Sequence, residues 1–375
     1  MRKLLIAAVL ALLAGPAMAQ VNFQTSVKGY HYFHKTGATM QAHDEAVKNC
    51  VRLVNGLWLD SGDSGGLVVS VLDGMHTSMA VPANIEHCMV AFGWEVMQID
   101  DARGQALAAG SREARHDALA QWVGSPTPEG RMARRFVNDL TDPETIWNGR
   151  SWGSDKPSLS VTSQAPFNER PAPFTVPKFP NSAYPPQPLN ARQVAALPAD
   201  ASVIVVRATL AEAKGFRTMV FNRAGPDGYQ PAWADGQPAA FRFSTPPLMS
   251  NRDKTYVFRV PPGKWRFAGL SSAYGFTSFC YGAPAFEVKS GEAVFAGTFS
   301  AGYQGQLVPN LDLAPMTTAL KDAPGLLARL KPATWVNGSW ERCSGAYAYA
   351  FEIPGAPFED GYTGGSRALA TATAP

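Results

Sequence analysis

The sequence predicts an α+β chain: an N-terminal disulfide-stapled α-rich domain, a Pro-rich connector and a C-terminal antiparallel β-sandwich. Three observations carry that expectation. Apolar residues recur at helical spacing before residue 152, prolines crowd residues 157–198, and β-branched and aromatic runs broken by Gly and Pro fill the chain after residue 201. The expected boundaries are a leader over residues 1–19, the α-rich domain over 20–152 and the connector over 153–200. The β-sandwich with a C-terminal extension then occupies 201–363, and a flexible tail 364–375.

The leader has three parts. Arg2 and Lys3 form a charged start, residues 4–14 an apolar run, and Ala17-Met18-Ala19 a small-residue cleavage site. The run is shorter than the roughly 20 residues that span a bilayer. Cleavage after Ala19 would leave Gln20 first, without the cysteine that lipid modification needs. The chain is therefore expected to be periplasmic or secreted, with no transmembrane segment after signal removal.

Cysteine usage points the same way. Cys50, Cys88, Cys280 and Cys343 are an even set, and no C-x-x-C pair suggests zinc. The favoured pairing is Cys50–Cys88 and Cys280–Cys343, which keeps each bridge inside one candidate domain. Each loop closure would be worth about 4 kcal/mol in the chain-entropy account.

In the first domain, Val47, Cys50, Val51, Val54 and Trp58 mark one helical face over residues 41–58. Ile85, Cys88, Met89 and Phe92 mark another over 82–94, with Pro82 suited to its first turn and Gly93 to its end. Further helices are expected over residues 112–123 and 131–140. In the connector, ten of the 42 residues from 157 to 198 are proline. That stretch reads either as a semi-rigid spacer or as a loop lying across the second domain, where Phe167, Phe174, Phe179 and Tyr184 would anchor it. After it, residues 203–209, 218–221, 255–260, 265–270, 285–288 and 294–299 read as strands. A helix interrupted by Pro324 is expected over 316–330, and a frayed end from 364.

Val260-Pro-Pro-Gly-Lys-Trp-Arg-Phe267, followed by Phe286-Glu-Val-Lys-Ser-Gly-Glu292 and Phe295-Ala-Gly297, resembles a pattern of bacterial envelope proteins. These carry a small β-sandwich of the transthyretin-like or carboxypeptidase-regulatory-like type. The resemblance covers residues 202–313 and implies a fold and an accessory or binding role, with no catalytic residues to carry over. In the first domain, Cys50, then Cys88-Met89 and Gly93-Trp94, is similar to the C…CM…GW layout of small exported bacterial proteins.

Removing Arg2 and Lys3 with the leader leaves a net charge of +1, from 33 basic and 30 acidic residues in the whole chain. Nucleic-acid binding therefore lacks its electrostatic driving force. Gly62-Asp63-Ser64-Gly65-Gly66 resembles the nucleophile loop of chymotrypsin-like proteases, but too little chain precedes Ser64 to build a barrel carrying His and Asp. It reads as a turn. His31, His34 and His43-Asp44 are the imidazoles a metal would use, yet none has the i, i+4 helical spacing, so no metal and no cofactor is expected. His87 is expected to be solvated, and Arg131, Arg134 and Arg135 to form a solvated basic helix face.

The expected function is a non-catalytic exported envelope protein acting by binding or scaffolding, its partner an envelope protein or cell-wall glycan. The second reading is a carbohydrate- or peptidoglycan-binding module using Tyr274, Phe276 and Tyr281. A third is a hydrolase with Ser64 as its only motif-like nucleophile.

Overall fold

The structure is a computed structural model. It describes residues 27–55, 82–138, 154–156, 158–161, 187–209, 218–225, 240–244, 253–272, 275–300, 307–340, 343 and 347–372. The leader, Ser64, Tyr274 and most of the proline-rich stretch lie outside the described residues. No helix among the described residues is long and apolar enough to cross a membrane.

In the first region, helix α1 (Met40–Asn55) starts at Thr39, whose hydroxyl accepts the Ala42 N–H, and buries Val47, Cys50, Val51 and Val54 on one face. Helix α2, residues 82–91, is covered on nearly every side. It ends where Trp94 N–H bonds the Met89 carbonyl and Gly93 N–H bonds that of Val90, with Gly93 at φ +82°. Those two bonds and the left-handed glycine form a Schellman stop. A Cys50–Cys88 disulfide joins the apolar faces of α1 and α2. Helices α3 (Asp101–Ala109) and α4 (Arg112–Trp122) follow, capped by the side chains of Asp100 and Ser111.

This region also holds a sheet that the helical spacing does not announce. Strands β1 (His31–His34), β2 (Glu95–Gln98) and β3 (Arg131–Arg134) pair antiparallel in that order. The helix expected over 131–140 is thus replaced at its start by β3. Gly130, at φ +90°, turns the chain so that residues 131–134 meet the free edge of β2, and ladder pairing overrides the helix propensity of Arg, Met and Ala.

In the second region, β4 (Val203–Thr209), β7 (Lys254–Arg259), β10 (Ala293–Ser300) and β11 (Leu330–Pro332) form a four-stranded sheet in the order β11-β10-β4-β7. It is mixed, because β10 runs parallel to both β4 and β11. A six-stranded sheet contains β5 (Thr218–Arg223), β6 (Ala240–Ser244), β8 (Gly263–Ser272), β9 (Gly275–Val288), β12 (Val336–Ser339) and β13 (Tyr347–Ala350). Its order is β12-β9-β8-β5-β6, antiparallel throughout, with β13 added parallel to β9. The Cys280–Cys343 disulfide ties β9 to the segment before β13.

The two sheets share one apolar cluster. Ile204, Val206, Tyr256, Phe258 and Val294 on the first meet Phe221, Phe241, Phe267, Phe279 and Phe286 on the second. Phe221 lies directly opposite Phe241 and Phe267 in the strand register, with ring centroids 4.9 and 5.1 Å away. Cross-strand aromatic pairs of this kind set register as well as adding stability.

The outer face of the four-stranded sheet is covered by three short helices: α5 (Ala191–Ala195), α6 (Ala314–Ala319) and α7 (Pro324–Arg329). Their Val194, Met316 and Leu326 pack on Val203, Val205 and Phe295. Leu189 N–H also bonds the Val257 carbonyl, so residues 187–197, the end of the proline-rich stretch, lie along the sheet. The residues expected to fray from 364 instead form α8 (Gly365–Ala372), with Ala368 buried against Gly93.

The outer face of the six-stranded sheet meets α2. Cys280, Tyr281, Ala348 and Ala350 join the cluster built by α1, α2 and the small sheet. Tyr281 donates its hydroxyl to the Asn84 carbonyl, and Ala348 N–H bonds the Asn84 side-chain oxygen.

Candidate functional site

The chemistry-bearing side chains of the first region gather around β1. Its four residues are all buried, and odd spacing sends His31 and His34 to opposite faces of the strand. The two imidazoles therefore do not converge on one ion. His34 Nδ1 faces the Trp122 carbonyl at 3.1 Å, which can only accept, so this nitrogen carries the proton. Its Nε2 then accepts from Thr36, 3.3 Å away.

His31 instead meets Glu86 of α2. Its Nε2 lies 3.3 Å from Oε1, a close approach outside hydrogen-bond geometry. Oε1 also accepts the Ser154 N–H at 2.8 Å, and Arg134 approaches Oε2 at 3.5 Å. Burial pushes the Glu86 carboxyl up, but contact with His31, the charge of Arg134 and the Ser154 N–H outweigh it and hold the group at about 2. Arg134 is buried on β3 rather than solvated on a helix. Its side chain points inward because it pairs with Val96 on the covered strand β2. His87 is likewise buried rather than solvated: α2 is covered on both flanks, and the ring stacks on Tyr349 with centroids 4.2 Å apart.

A second chain of contacts runs from the interior to the surface. His43, 0% exposed, sits on α1 with Nδ1 3.0 Å from Asp44 Oδ1 and Nε2 2.8 Å from Ser160 Oγ. Because a carboxylate only accepts, Nδ1 is protonated and Nε2 accepts a hydrogen bond from the Ser160 hydroxyl. Asp44, half exposed, passes its other oxygen to His116 Nε2 at 3.3 Å. The order Ser, His, Asp is that of a nucleophilic triad. Sequence reading misses Ser160 because it lies 117 residues from His43 and carries no local motif.

Three features make this arrangement a tether. Ser160 Oγ already accepts the Phe33 N–H at 3.0 Å. The N–H groups of its own loop are taken: Leu159 by the His31 carbonyl, Ser160 by Ser158 Oγ and Val161 by the Ser158 carbonyl. Those three N–H groups therefore offer no donor to a developing oxyanion. His43 is also fully covered, so no substrate reaches its ring from solvent. The contacts bind residues 158–161 to α1 and β1.

Of the aromatics singled out in the sequence, Tyr281 is 1% exposed, and its burial raises the hydroxyl well above the usual tyrosine range. It offers no ring face to solvent. Phe276 has its backbone in β9 opposite Ser271; its side chain and Tyr274 lie outside the described residues. Among the described residues, no group of three or more His, Cys, Asp or Glu is arranged to hold a metal.

An open groove of about 640 Å³ lies at one end of the stacked sheets, between the turn before β4, the end of β5 and the β7–β8 turn. Pro261 and Pro262 of the sequence motif form part of its wall, and Arg223 and Arg259 are its basic residues. No protein-family model, no curated protein and no solved structure matches the chain.

Proposed function

We propose that the protein is an exported envelope protein that acts by binding or scaffolding rather than by catalysis. The observation that carries this reading is how the histidine, serine and carboxylate side chains around β1 are spent. His34, His43, Ser160 and Glu86 each contact another element of the fold, and in the triad-like chain among the described residues the imidazole of His43 is covered and the N–H groups of residues 159–161 are already bonded. Such groups fix geometry; they do not meet a substrate. The open groove on the sheets is, by contrast, a polar concavity of small-molecule size.

Export is supported by the leader-like first nineteen residues and by the two closed disulfides, which need an oxidising compartment. Two sheets stacked on an aromatic core support the transthyretin-like β-sandwich reading of residues 202–313.

The test is cross-linking in living cells, followed by purification of the tagged mature protein and mass spectrometry. Reproducible enrichment of one or two envelope proteins, or of cell-wall fragments, is the expected result. A fluorophosphonate probe should leave the folded protein unlabelled. Labelling of Ser160 or Ser64 that heat denaturation abolishes would overturn the reading in favour of a hydrolase.

A further inference from the structure

We propose that the groove at the end of the stacked sheets binds an anionic ligand, a carboxylate or phosphate attached to a ring-sized apolar body. This deepens the binding reading above and rests on it. Each sheet brings one arginine to the groove. Arg223 ends β5 of the six-stranded sheet and is 7% exposed; Arg259 ends β7 of the four-stranded sheet and is open to solvent. Among the described residues the Arg259 guanidinium has no hydrogen bond or ion pair. Among the described residues Asp200 is the sole acidic residue on the lining, which carries two arginines.

The walls are built before any ligand arrives. Ser202 Oγ donates to the Lys289 carbonyl and accepts the Gly291 N–H, and Val260 N–H bonds the Ser202 carbonyl. From behind, Arg329 clamps the same turns through the carbonyls of Pro198, Ala201 and Gly291, adding a fixed cation. A preformed site spends little of its binding energy on ordering itself. Guanidinium groups meet carboxylate and phosphate with paired charge-assisted hydrogen bonds. Pro261 and Pro262 form an apolar wall beside them, which a flat ring would cover, and Ser290 adds a hydroxyl at the rim.

The experiment is calorimetric titration of the mature protein with four probes: phenyl phosphate, benzoate, inorganic phosphate and benzyl alcohol. Phenyl phosphate or benzoate should bind saturably, and which of the two binds more tightly identifies the head group. Inorganic phosphate should bind more weakly because it leaves the proline wall uncovered, and benzyl alcohol should not bind. Arg259→Ala should weaken the better probe by at least about ten-fold, the scale of one lost charge-assisted pair. Arg192→Ala, on exposed α5, should change nothing. An absence of saturable anion binding, equal binding of benzyl alcohol, or an unchanged Kd in Arg259→Ala would overturn the inference. The two proposals fail separately. If the probes fail while cross-linking still enriches the same partner in wild type and Arg259→Ala, the groove inference falls and the binding reading stands.

Discussion

His43 shows what the buried polar groups cost and supply. Burial lowers its pKa below the ordinary 6.5, although the hydrogen bond and charge of Asp44 pull the other way; His116 adds to the lowering. The folded protein therefore binds fewer protons at this site than the unfolded chain does below about pH 6.5. Its contribution to stability is fully present above that value and fades as pH falls towards the depressed folded value. Glu86 acts in the same sense at lower pH: its contribution is complete above the ordinary 4.5 and lost as pH falls towards about 2. Glu352, whose pKa burial raises, acts oppositely, favouring the fold at low pH and losing that advantage as it ionises. The His43 window can be isolated by denaturant unfolding of wild type and His43→Gln. Between about pH 7.5 and pH 5.5, spanning the histidine range, wild type should lose stability and the variant should lose distinctly less. Equal slopes in the two proteins would sink the assignment.

At the scale of elements, the disulfide between α1 and α2 fixes the face that α2 turns towards α1. The sequence separation of 38 residues makes a loop whose closure in the unfolded chain is worth about 4 kcal/mol. A Cys50→Ser, Cys88→Ser double variant should lose about 2–4 kcal/mol in urea unfolding. A loss under about 0.5 kcal/mol would mean that α2 is held by its other contacts alone.

Which elements were legible follows from their length and patterning. α1 and α2 are readable because several residues repeat at helical spacing, and the cysteine pairing follows from keeping each bridge inside one candidate domain. β4 is readable as a β-branched run, and β7 and β8 as apolar and aromatic runs on either side of Pro261-Pro262-Gly263. The short strands β1 and β2 gave no alternation to read, since β1 is buried at all four residues. β3 carried a misleading helical composition. The candidate site was less legible still. His43 and Asp44 are neighbours in sequence, but Ser160 reaches them only through the folded loop. Arg223 and Arg259 share a groove only because two sheets stack, a relation no local pattern encodes.

For the whole molecule, α2 is the seam on which the helical region and the sheets meet. Its Asn84 accepts the Tyr281 hydroxyl on its backbone carbonyl and the Ala348 N–H on its side chain, and its His87 stacks on Tyr349. Beside it, Asn138 and Glu352 exchange a reciprocal pair of bonds between the Asn138 side chain and the Glu352 backbone. Ala83 belongs to the apolar cluster between the sheets, whereas Ile85, Cys88 and Met89 belong to the helical one. Pulling the two regions apart would strip these polar groups of their partners and expose apolar surface on both sides. Each buried group left unsatisfied costs about 1–3 kcal/mol. Partial unfolding at the seam is thus disfavoured relative to loss of the whole structure, and two-state behaviour extends across it. Scanning calorimetry of the oxidised mature protein should therefore show one transition, with calorimetric and van't Hoff enthalpies in agreement. Asn84→Ala should lower stability by about 2 kcal/mol, the cost of orphaning the Ala348 N–H, while the transition remains single. Two resolved transitions in the wild type would mean that the seam is weaker than either core.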